Sequence, residues 1–132
     1  MEGVRRERGA AALPMLALIG VVVVLAALVV DAGYYLAARA QASTAADAAA
    51  LAAAPLTFAP FGSTGSPREE AARYASANGA ELVTCDCRTD RTWATRRVTV
   101  VVERPVDLLL LGDRTVQAKG SAEFTPVDLG GG

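Results

Sequence analysis

Residues 9–30 read GAAALPMLALIGVVVVLAALVV, 22 consecutive positions without a charged side chain. A helix of about 20 apolar residues crosses the ~30 Å hydrocarbon core of a bilayer. In a chain of 132 residues a buried core helix is expected to be shorter and amphipathic, so the run reads as a membrane span. Pro14 fits the first helical turn, where its missing N–H costs nothing, or a kink in a longer helix. If the helix starts at Pro14, 17 apolar residues precede Asp31, about 26 Å of helix at 1.5 Å per residue. Tyr34 and Tyr35 then stand where an interfacial aromatic pair would stand.

The flanks set the orientation. Arg5, Arg6 and Arg8 crowd the first eight residues against Glu2 and Glu7, whereas beyond the run Asp31 comes first and Arg39 is the only nearby basic residue. The positive-inside rule puts the N-terminus in the cytoplasm and everything after Asp31 outside. A cleaved secretory signal shares the basic start, but its apolar core is usually about 7–15 residues. The tidy small-x-small site past the charges, Ala38-Arg39-Ala40, lies well downstream.

The helix is not expected to stop at the membrane. Between Ala37 and Ala54, 12 of 18 residues are Ala, the best helix former. Pro55 disfavours helical geometry at Ala54 and ends the element. One helix is expected from about residue 13 to residue 54, its outer part projecting roughly 36 Å. The outer part lacks both the large apolar side chains of a core and the charge density of a solvated helix. Small side chains let helices approach closely, so it reads either as a surface for packing on other helices or as a plain spacer. Arg39, Ser43 and Asp47 are spaced by four and form a narrow polar stripe. Asp31 reads as a membrane-exit residue or as a functional carboxylate.

Beyond it, residues 55–66 (PLTFAPFGSTGS) read as a linker with apolar anchors Phe58 and Phe61. Ser66, Pro67 and Glu69 give an N-cap, a first-position proline and a capping box, and Gly79 gives the stop; they predict a helix over 67–78. Three strand-like runs follow, 82–87, 95–104 and 114–125. The fold class is therefore α+β, a long N-terminal transmembrane helix followed by a small domain of one helix and about three antiparallel strands. The expected division is a cytoplasmic 1–8, the long helix 9–54, the linker, the extracytoplasmic domain 67–125 and a flexible tail 126–132. A domain of about 60 residues has a marginal core alone, and support from the long helix or a partner is expected. The four leucines Leu108 to Leu111 read as core in preference to an exposed sticky patch.

Composition excludes much. The chain has no His, which removes His-based catalysis, metal ligation and pH switching. Its net charge of −1 gives no general attraction to nucleic acid. Cys85 and Cys87 are too few for a zinc site, and no phosphate loop or carboxylate pair occurs. No cofactor is expected, and the chain does not read as an enzyme. The C-x-C pair reads as a structural or intermolecular disulfide, or as free thiols; the redox reading lacks C-x-x-C in a thioredoxin-like setting.

The first 54 residues resemble TadE/TadG-like proteins of the Flp (tight adherence) pilus-assembly machinery. The matching features are R-x-R-G at Arg6 to Gly9, the apolar span, V-D-x-G at Val30 to Gly33, and QASTAADAAALAAA from Gln41 to Ala54. The stretch EAARYASANGAELVTC, from Glu70 to Cys85, is similar to the outer part of short actinobacterial members. The resemblance implies a membrane-anchored minor pilin or assembly factor, with the cell membrane and pilin-like or secretion proteins, including other copies of itself, as partners. Residues expected to carry helix packing are Asp31, Gly33, Ala46, Asp47, Ala50 and Leu51. Family members cut by prepilin peptidase carry Glu five residues after the cleavage point. Cleavage after Gly9 would put Pro14 there, so processing is not expected. Two other functions fit the residues, a membrane-tethered module whose sheet binds an envelope component and a C-x-C thiol–disulfide factor.

Overall fold

The computed structural model describes residues 3–59 and 65–127, with side chains from Ala12 onward. Helix α1 runs over Gly3–Ala53 and helix α2 over Pro67–Ala77, with a short 3-10 turn at Pro55–Thr57 between them. Strands β1 (Glu81–Asp86), β2 (Arg96–Leu108) and β3 (Gly112–Phe124) form one antiparallel sheet in the order β1-β2-β3. The expected α+β architecture is borne out. The arginines of the basic start and the tail 128–132 lie outside the described side chains and residues.

Helix α1 begins earlier than expected. Its backbone is helical from Gly3, so Pro14 sits inside the helix and not at its first turn. The proline leaves one carbonyl a turn earlier without its N–H partner, but the alanines before it are strong helix formers. At the far end Pro55 opens the 3-10 turn, and Thr57 Oγ1 donates to the Ala54 carbonyl at 2.6 Å. Helix α2 has the caps that its sequence specifies. Glu69 N–H donates to Ser66 Oγ at 3.1 Å, the Glu69 carboxylate accepts from Ser66 N–H, and Gly79 follows at φ +74°.

The outer half of α1 lies across the sheet with α2 beside it. Its alanines 38, 42, 45, 46, 49, 50 and 53 are buried, recurring every three or four residues as one helix face requires. From the sheet, Val98, Val100 and Val102 of β2 and Ala122 of β3 complete the same cluster, and Ala71 and Ala75 come from α2. The small domain is thus built around the long helix, and residues 38–53 of α1 are a core element. In β1 the pairing shifts between Leu82 and Thr84. This bulge restores parity: Leu82 opposes Val102 and Cys85 opposes Val100, and both face the core.

The chain between the helices is anchored at Phe58, which is buried. Phe58 and Asp90 form an isolated parallel bridge, with Asp90 N–H donating to the Thr57 carbonyl at 3.0 Å and Ala59 N–H to the Asp90 carbonyl at 2.9 Å. Arg96 lies over the Phe58 ring, donates to the Thr57 carbonyl at 2.9 Å and pairs with Asp90 at 2.8 Å. The second expected anchor, Phe61, lies outside the described residues.

Candidate functional site: the exposed helix and the hairpin tip

Every residue from Ala12 to Val30 is exposed, apart from Ala27, which is half-buried. Leu13, Leu16, Leu18, Ile19 and Val21 each expose more than half of their surface. An apolar patch of this size on a protein marks a contact with membrane or protein. Among the described residues one helix is long and apolar enough to cross a membrane, and none of its most apolar window is buried.

Where the apolar run ends, the chain returns to it. Asp31 is 3% exposed, and its two carboxylate oxygens accept the backbone N–H groups of Leu109 at 2.6 Å and Leu110 at 2.9 Å. A carboxylate satisfied by two backbone donors is a charge-assisted pair, stronger than neutral hydrogen bonds. The donors belong to the β2–β3 hairpin loop, whose last paired residues are Leu108 and Gly112. Gly112 has φ +66°, the left-handed residue that closes a three-residue hairpin loop.

This corrects the reading of Leu108 to Leu111 as core. Leu108 is buried, but Leu109, Leu110 and Leu111 are 68%, 49% and 54% exposed. They form the loop itself, beyond the last pair of the sheet, so the sheet's inner face cannot cover them.

The residues expected to carry helix packing divide into two groups. Asp31, Ala46 and Ala50 are buried inside the protein, the two alanines completely. Their face is filled by the chain's own sheet, because Gly120 of β3 brings its backbone onto Ala46; contact with another chain through it would require the sheet to leave. Gly33, Asp47 and Leu51 are exposed. With Ala40 and Thr44, also exposed, they recur at steps of seven, four, three and four and so line the opposite face of α1.

Cys85 and Cys87 are bonded to each other, and their side chains pack against the buried cluster. Among the described residues no cluster of metal-ligating side chains occurs. A surface depression beside α2 and β1 is lined by Arg68, Ser76, Gly79, Glu81, Leu82 and Pro105 among others. Its charged lining residues are Arg68 and Glu81, one of each sign.

The molecule is therefore a small α+β head built on the outer half of one long apolar helix. Residues 9–55 match the model of the Tad family, described as "Putative Flp pilus-assembly TadE/G-like". The resemblance read from those residues is borne out over that segment. The match ends where α1 and its cap end, so the sheet lies outside it. No curated protein and no solved structure matches the chain. A TadE/G-like segment and one helix able to cross a membrane fit a pilus-assembly protein.

Sequence reasoning missed the Asp31 latch. Its partners lie 78 and 79 residues away and offer backbone N–H groups, which every non-proline residue carries.

Proposed function

We propose that this protein is a single-pass membrane component of a Flp-type pilus or a related secretion system. Its N-terminus lies in the cytoplasm and its α+β head outside. It works by packing against pilin-like or assembly partners through α1, and its role is architectural, not catalytic. The observation that carries this reading is the continuity of α1: the apolar run, the TadE/G-like segment and the core of the head are one helix. Such a helix transmits the position of the head rigidly to the membrane.

The face that the sheet leaves uncovered is the one offered to partners, through Gly33, Ala40, Thr44, Asp47 and Leu51. Three of these five are Gly, Ala or Thr, small enough for close helix approach. Placing photo-crosslinking residues at Gly33, Ala40, Asp47 and Leu51, one at a time, in native membranes tests this. Adducts with pilin-like or assembly proteins, or with a second copy, are expected. Normal protein levels with no adduct from any of the four positions would overturn it. A reporter fused after Gly132 should be active only when exported.

A further inference from the structure

The β2–β3 loop is made of three leucines, whereas tight hairpin turns favour Gly, Asn and Asp. All three project away from the sheet and stay about half exposed or more. Removing apolar surface from water is favourable, so three neighbouring leucines with this much surface uncovered are a strong contact in search of an apolar medium. The tip is also fixed in place. Asp31 holds its Leu109 and Leu110 N–H groups, and Asp31 is the first charge after the 22-residue apolar run. The leucines therefore stand beside α1 at the level where its apolar surface ends. Ala27, one turn further into the run and on the same helix face as Asp31, is the half-buried residue noted above, in keeping with a tip lying over that turn. Behind the tip, Asp107 and Asp113 oppose each other across the hairpin, both exposed.

We propose that Leu109, Leu110 and Leu111 form a second membrane contact, entering the boundary between headgroups and acyl chains of the outer leaflet beside α1. The occupant of the patch is lipid, because the patch continues the apolar surface of the spanning helix at the same height. Asp107 and Asp113 form a charged collar that stays in the headgroup layer and limits entry to the tip. The head thus rests on the bilayer at two points, and its rotation about α1 is fixed. The proposal rests on the reading of residues 12–30 as a membrane span.

The test uses the full-length chain in phosphatidylcholine–phosphatidylglycerol vesicles, with Trp93→Phe removing the single native tryptophan. One tryptophan is then introduced at a time, by Leu110→Trp at the tip, Thr115→Trp behind the collar or Val22→Trp in the span. Each is quenched by lipids with brominated acyl chains and, separately, by acrylamide from water. Leu110→Trp should lose most of its emission to brominated lipid and little to acrylamide, and Thr115→Trp the reverse. Leu110→Trp quenched by acrylamide alone, while Val22→Trp responds to brominated lipid, would overturn the proposal and leave the span intact. Leu110→Trp shielded from both quenchers would show the tip covered by protein, and overturns it too. Acrylamide reaching Val22→Trp would sink the span and the proposal with it.

Discussion

Gly120 of β3 lies so close to Ala46 of α1 that a Cβ on Gly120 would stand 2.3 Å from the Ala46 carbonyl carbon and 2.6 Å from the Asp47 nitrogen. Both obstacles are backbone, so neither can swing away. The sheet and the helix approach here without side chains between them. This explains the buried alanines of the helix, Ala42, Ala45, Ala46, Ala49, Ala50 and Ala53: that stripe is small because the sheet lies on it. Gly120→Ala should therefore destabilise the head by about 1–3 kcal/mol, the usual cost of overpacking a well-packed core. Thermal unfolding in detergent reads it. Gly33→Ala is the matched control, since nothing lies within 4 Å of its Cβ position. It should be neutral, or gain up to about 1 kcal/mol from helix propensity.

Ala46→Leu and Ala50→Leu are expected to act inside the chain. Both positions have no exposed surface, so a larger side chain must push the sheet off the helix, again at about 1–3 kcal/mol. Lower protein levels and faster proteolysis of the head should come with any loss of partner crosslinking. Leu51→Ala, on an exposed position, should leave stability within about 0.5 kcal/mol while weakening crosslinking from that face.

Removing the Asp31 carboxylate should free the hairpin tip. Hydrogen bonds to a charged group contribute roughly 1.5–3 kcal/mol, and two backbone donors lose their acceptor in Asp31→Ala. Faster hydrogen–deuterium exchange is expected at the Leu109 and Leu110 amides, with the Val98–Val102 amides of β2 unchanged. Asp31→Asn keeps one acceptor oxygen and should fall between. Equal exchange in all three proteins would refute the latch.

Acid should loosen the clasp around Phe58. The Asp90 carboxyl is held below the usual carboxylate range, first by the Thr92 hydroxyl, then by the Thr92 N–H and by the charge of Arg96. A lowered carboxylate stabilises the fold above its ordinary range, and that contribution is lost as pH falls through the lowered value. The group is exposed, so the effect is small and screened by salt. Trp93, whose ring centroid lies 4.9 Å from that of Phe58, reports it through its fluorescence. The signal should be flat from neutral pH down to the ordinary carboxylate range and change only below it. Asp90→Asn should abolish the step.

The disulfide should matter little to stability. Cys85 and Cys87 are two residues apart, and so short a loop restricts the unfolded chain by only about 1–2 kcal/mol on the chain-entropy account. Cys85→Ser with Cys87→Ser should lower the unfolding midpoint modestly and leave membrane assembly unchanged. Loss of assembly with an intact fold would instead favour a thiol–disulfide role.

The sequence by itself determined what depends on neighbours along the chain. A 22-residue uncharged run, an alanine series ended by Pro55, and Ser66-Pro67-x-Glu69 before a helix act through hydrogen bonds and side chains within a few residues. The long helix, the capped α2 and the three strands were legible for that reason, as was the TadE/G-like segment. What only the tertiary structure decided depends on contacts between distant segments. The residues Ala46 and Ala50 look alike whether they meet a partner or a strand; the backbone approach of Gly120, 74 residues beyond Ala46 in number, assigns them to the protein's own core. Asp31 reads as an ordinary exit residue until the hairpin returns to it. Four leucines in a row read as core by hydrophobicity alone. Their place at the end of two long paired strands turns three of them outward, because a loop beyond the last pair has no opposing layer to bury it.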